Sequence, residues 1–110
     1  MVYLHFTEND RFVRKALKLF GEAGIAEIEL AICENPVVGT VIPGSGGLRK
    51  MRWRASGRGK SGGSRIIYYF ADSRGRIFLL DLYVKKDKTD LKREDIAALS
   101  NLVTKWLQTK

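Results

Sequence analysis

The chain has 110 residues, 45% of them apolar, and carries 20 lysines and arginines against 12 acids for a net charge of +8. That length suits one domain over residues 1–110 with a single core, and no long polar tract argues for disorder. One cysteine, Cys33, and one histidine, His5, exclude an internal disulfide and a four-ligand zinc site, so no metal or other cofactor is expected.

Residues 2–6 are rich in β-formers and predict a short first strand. Thr7-Glu8-Asn9-Asp10 has the pattern of a capping box for a helix that buries Phe12, Val13, Ala16, Leu17 and Phe20. Gly21 and Gly24 break it, and residues 25–34 predict a second helix stopping before Asn35-Pro36, so the pair reads as an αα-hairpin. Acids and bases crowd this N-terminal region (Glu8, Asp10, Arg11, Arg14, Lys15, Lys18), which lacks the apolar core of a signal peptide. Cys33, near a helix end, is most simply a small buried apolar residue.

Residues 37–47 form a loop with Pro43 and four glycines. Three strand-like runs follow, at 48–55, 64–71 and 76–85, joined by a Gly-rich loop at 56–63 and the turn Asp72-Ser73-Arg74-Gly75. The apolar run 77–84 contains Asp81 and is far too short to span a bilayer, so a cytoplasmic protein without a membrane partner is expected. Thr89-Asp90 offers a cap for a last helix burying Ile96, Leu99, Leu102, Val103, Trp106 and Leu107. The order is an N-terminal strand, an αα-hairpin, a three-stranded antiparallel sheet and a C-terminal helix, which is α+β.

The charge is concentrated. Residues 1–47 carry a net of −2 and residues 70–110 a net of +3. Between them, residues 48–69 hold Arg49, Lys50, Arg52, Arg54, Arg58, Lys60 and Arg65 with no acid at all. A field of that kind attracts a polyanion, nucleic acid first and anionic lipid second. Alternation along a strand predicts Lys50, Arg52 and Arg54 on one face, spaced about 6.5–7 Å apart, roughly as successive phosphates are. Arg65 opens the next strand on part of the same surface. Tyr83 ends the third, where it is either a half-buried sheet aromatic or a group that stacks on or hydrogen-bonds a base, with Lys85 and Lys86 beyond it.

Two apparent phosphate motifs fail. Gly57-Arg58-Gly59-Lys60-Ser61-Gly62 matches a dinucleotide fingerprint, and Gly59-Lys60-Ser61 looks like the end of a phosphate loop. Both motifs work by presenting the N-terminus of a following helix, whereas a strand, Arg65-Ile66-Ile67-Tyr68, follows here. Histidine is a general-base side chain by type, but His5 lies far from the basic segment, and a structural role is the better reading.

Asn35-Pro36 with Gly39, then Ile42-Pro43-Gly44-Ser45-Gly46-Gly47-Leu48-Arg49-Lys50-Met51-Arg52-Trp53, resembles the RelE/HigB-like toxins of type II toxin–antitoxin systems. So does the continuation from Gly57 to Tyr69, and the run from Leu79 to Lys85 with Asp90-Leu91 fits the family's C-terminal part. The resemblance implies a microbial RNase-like fold and an endoribonuclease that cuts messenger RNA in the ribosomal A site without metal. It also implies a cognate antitoxin, in the HigB branch usually a helix-turn-helix DNA-binding protein. By strand position the family's catalytic cations map onto Lys50, Arg52, Arg65 and Lys86. Arg49, Arg54, Arg58, Lys60, Tyr83 and Lys85 are the expected RNA contacts around them. Some relatives carry a catalytic tyrosine near the C-terminus; residues 87–93 have none, which leaves Tyr83, or no tyrosine, in that role.

The implied reaction is attack of a ribose 2′-OH on its own phosphate, and clustered cations suit the more negative phosphorane it forms. A lysine becomes a base only if its pKa falls from about 10.4 toward 7–8, and like-charged neighbours push that way. Lys50 is the first candidate base; arginine keeps its proton, so Arg52, Arg54 and Arg65 suit clamping. The competing reading is a non-catalytic RNA-binding or ribosome-associated module that uses the same strip for phosphate contacts only. A membrane-surface protein is weaker, since no basic amphipathic helix with an aromatic apolar face is evident.

Overall fold

The computed structural model describes residues 4–54, 63–71, 74–85 and 91–109. Its elements are β1 (His5–Glu8), α1 (Asp10–Glu34), β2 (Thr40–Val41), β3 (Arg49–Trp53), β4 (Ser64–Ala71), β5 (Arg76–Val84) and α2 (Arg93–Leu107). The strands form one sheet in the order β1-β5-β4-β3-β2.

The α+β class and the antiparallel β3-β4-β5 meander follow the sequence reading, with two additions. β1 pairs with β5 in parallel, His5 opposite Arg76 through Glu8 opposite Leu79, so the sheet is mixed. The hairpins occupy both edges of β4 and one edge of β5, leaving β5's outer edge as the place for a further strand. β2, a two-residue strand inside the expected loop, pairs antiparallel with β3.

The two expected helices run as one, bent at Gly21, whose φ of +74° and ψ of 179° are outside helical geometry. Gly24 does not break the helix. A Cβ there would lie 2.2 Å from the Phe20 Cβ, so the bend requires the absence of a side chain at that position. Both arms of α1 face one side of the sheet, where Phe12, Ala16, Ile28 and Ile32 meet Met51, Ile66, Tyr68, Ile77, Leu79 and Leu82. On the other side α2 packs Leu99 and Val103 against Leu48, Ile67, Phe78, Leu80 and Tyr83. Each fully buried side chain of this size contributes on the order of 1.5–3 kcal/mol, so the fold rests on two layers of helix about a shared sheet.

Local expectations need correcting. Residues 2 and 3 of the expected first strand lie outside the described residues; the described strand runs 5–8, so Thr7 and Glu8 pair with β5 and do not cap α1. Asn9 takes the N-cap position, with its side chain bonded to the Leu80 carbonyl instead of to the helix. Leu17 is 44% exposed, because Phe12 and Ala16 already fill the sheet-facing stripe of the first arm. Cys33 is exposed, one residue round the helix from buried Ile32. The cap expected at Thr89-Asp90 lies outside the described residues; α2 is preceded by Lys92, whose backbone N–H donates to the Asp95 carboxylate.

Candidate nucleic-acid interface

Strand pairing decides which cations meet. In the β3–β4 ladder Arg52 lies opposite Arg65, and Lys50 lies opposite Ile67. In the β4–β5 ladder Arg65 lies opposite Tyr83. Arg52, Arg65 and Tyr83 therefore form one row across three strands, each about 4.8 Å from the next. Lys50 stands two residues from Arg52 on the same face.

This is also the face that α2 covers, since Leu48 alternates with Lys50 and Arg52, and Ile67 with Arg65. It divides into an apolar half under α2, built from Leu48, Ile67, Phe78 and Leu80, and a basic half beyond it. Tyr83 stands at the boundary, packed with the apolar cluster yet opposite Arg65. Arg65 is only 7% exposed and donates to the Ser64 carbonyl at 3.1 Å, whereas Arg52 is exposed and Lys50 half-buried. The register thus brings two arginines onto neighbouring strands, one exposed and one buried.

The remaining expected residues divide. Lys85 extends the β4–β5 pairing by donating its N–H to the Gly63 carbonyl, at the end of the row beside Tyr83. Arg49 points to the opposite, α1 side, where its guanidinium donates to the Gly39 carbonyl at 2.7 Å. Arg54 departs from the expected row. β3 ends at Trp53, and the Arg54 guanidinium turns to an ion pair with Glu27 of α1 while lying 5.6 Å over the Trp53 ring. The row of three cations is thus a row of two in β3, completed by Arg65 from β4. Arg58, Lys60 and Lys86 lie outside the described residues. His5 sits seven residues along β5 from the Tyr83 position, about 20 Å away.

The α1 side of β3 is held from behind. The Tyr68 hydroxyl donates to the Pro36 carbonyl at 2.8 Å and accepts the Gly39 N–H at 3.0 Å, tying the 35–39 loop to the sheet. Burial pushes its pKa up, against the opposing effects of the Gly39 bond and Arg49. A Cβ on Gly39 would sit 2.9 Å from the Tyr68 ring and 3.1 Å from the Lys50 backbone, so only glycine lets the loop approach the strand that carries Lys50.

Sequence reasoning missed Asp81. It is 6% exposed, with its carboxylate 2.7 Å from the Lys15 ammonium and 3.3 Å from Arg11 Nε. An acid inside an apolar strand is the signal that marks it, because such a group is buried only when paired.

Among the described residues no helix is long and apolar enough to cross a membrane. A family model for the RelE toxin of the RelE/RelB toxin–antitoxin system matches residues 39–110. Solved structures share the fold. A mutant of the E. coli toxin RelE in the free state is 14% identical at a TM-score of 0.60, over 90% of this chain and 95% of that one. The isolated E. coli RelE toxin is 14% identical at a TM-score of 0.56, over 91% and 99%. The intact E. coli RelBE toxin–antitoxin complex contains a chain 17% identical at a TM-score of 0.55, over 73% of this chain and 94% of that one.

Proposed function

The chain belongs to the RelE toxin family, and from that premise we propose that it is an endoribonuclease that cuts messenger RNA in the ribosomal A site. The observation that carries this reading is the Arg52–Arg65 pair, set opposite each other with Lys50 on the same face. Cations gathered on that face would hold a phosphate, and their stabilisation grows as a phosphorane gathers negative charge.

In the proposed reaction a ribose 2′-OH attacks the adjacent phosphorus as its proton is removed. The P–O5′ bond then breaks, a 2′,3′-cyclic phosphate forms, and the departing 5′-oxygen takes a proton. Of Lys50, Arg52 and Arg65, only Lys50 can hold and release a proton, so it takes the base role. Arg52 and Arg65 clamp the phosphate and stabilise the phosphorane; Tyr83 and Lys85 border the strand. Lys86, Arg58 and Lys60 are assigned to the same surface from the sequence alone. No metal enters the scheme.

The toxin's partner is taken to be a cognate antitoxin, as in the RelBE complex, here of the helix-turn-helix DNA-binding kind. The cytoplasm, where messenger RNA and ribosomes are, is its proposed compartment. Expression of the chain alone in bacteria should arrest growth and truncate messenger RNA within coding regions, and co-expression of the neighbouring antitoxin gene should restore growth. Normal growth at demonstrated soluble expression contradicts the reading and favours a binding module.

A further inference from the structure

β5 carries one residue more than β4 needs. Tyr68 pairs with Leu79, but its neighbour Ile67 pairs with Asp81, so a β-bulge lies at Leu80–Asp81. A one-residue slip exchanges the faces of every side chain beyond it. With uninterrupted pairing, Arg65 would stand opposite Leu82, and Tyr83 would join Ser64 on the α1 side. The bulge instead sends Leu82 into the α1 core, 1% exposed, and sets Tyr83 opposite Arg65 on the basic face.

A series of polar contacts lines this stretch. β1 pairs with β5 only as far as Leu79, and beyond it no described strand lies on that edge. The backbone groups there need other partners. The Asn9 N–H donates to the Leu79 carbonyl and Asn9 Nδ2 to the Leu80 carbonyl, both at 2.9 Å. Lys15 Nζ donates to the Leu82 carbonyl at 3.0 Å, and the Leu82 N–H donates to Asp81 Oδ1 at 2.8 Å. The same Oδ1 receives Lys15 Nζ at 2.7 Å, and Oδ2 faces Arg11 Nε at 3.3 Å. One carboxylate thus ties the first arm of α1 to the bulge. Burying it has a desolvation cost that an apolar residue would avoid, so its contribution is to geometry.

We propose that Asp81 is a positioning residue, clamped by Lys15 and Arg11, which fixes the bulge that brings Tyr83, itself 7% exposed, opposite Arg65 at the edge of the RNA face. This rests on the reading of the Lys50–Arg52–Arg65 face as the RNA site. Asp81 does not meet the substrate; it acts through Tyr83.

The test compares D81A, Y83F and D81A/Y83F in single-turnover cleavage on saturating programmed ribosomes. A parallel ¹⁹F spectrum is taken of each protein carrying 3-fluorotyrosine. D81A should slow cleavage by about 10²-fold, the scale of a small misplacement of a reacting group. The double variant should be no slower than the slower single variant, because both changes remove one contribution. The Tyr83 resonance, assigned by its absence in Y83F, should shift or broaden in D81A while those of Tyr68 and Tyr69 hold. D81A cutting like the wild type, losses that multiply, or an unmoved Tyr83 resonance would each overturn the proposal. If circular dichroism shows D81A unfolded, K15M, which removes both ammonium contacts from a partly exposed position, must give the same results. If the wild type does not cut, the nuclease reading fails, and the ¹⁹F spectra alone decide the positioning of Tyr83.

Discussion

Arg65 is the residue on which the basic face turns, because it is buried and opposite another arginine. Its neighbours in β3 depend on less conspicuous residues. Gly39→Ala forces a Cβ against the Tyr68 ring and the Lys50 backbone. It should lower stability by about 1–3 kcal/mol, the range for overpacking a filled site, and reduce cleavage by displacing Lys50; urea unfolding beside a cleavage assay checks both. Glu29 of α1 has its carboxyl pushed up to about 7, first by burial, then by the hydrogen bond and charge of Glu8. The folded state therefore holds a proton that the unfolded chain releases above about 4.5. The stability from that proton is fully present below pH 4.5 and is lost as pH rises toward 7. Glu29→Gln should flatten the fall in urea midpoint between about pH 5 and pH 8 and be the more stable protein at the upper end. An unchanged slope would contradict the assignment.

At the scale of elements, the legible features were those with a period. Alternation in β3 placed Lys50 and Arg52 together, and the helical spacing of Leu99 and Val103 placed α2 on the sheet. Cross-strand register carries no such period. The bulge in β5, the parallel docking of β1 and the turn of Arg54 toward Glu27 all depend on tertiary partners that a single run of residues does not display. The end of α2 is a further case. Arg76 of β5 donates to the carbonyls of Trp106, Leu107 and Thr109, closing the helix's C-terminus with a cation across 30 residues of sequence. Arg76→Ala should destabilise the protein by about 1–2 kcal/mol, through lost charge-assisted bonds and the helix dipole. Amide exchange should accelerate most in the last turn of α2; uniform exchange across the chain would mean that Arg76 does not cap it.

For the whole molecule, a net charge of +8, most of it within residues 48–69 of the sequence, predicts that RNA association under the proposed function is electrostatic. With about four to six phosphate contacts, the slope of log K against log salt should be near −3 to −4 for single strands, and a slope near zero would remove the electrostatic account. Charge alone does not separate a nuclease from a binder, since both bind phosphate. The difference lies in when the cations act. A contact that serves only affinity acts equally in ground and transition states, whereas one that meets developing charge acts mainly in the transition state. The deciding measurement is single-turnover cleavage on saturating programmed ribosomes by the wild type, Lys50→Ala and Arg65→Ala, with RNA binding measured alongside. Each substitution should slow the cutting step by about 10²–10³ while changing affinity far less; variants that bind more weakly yet cut normally at saturation, or a wild type that does not cut, would contradict it.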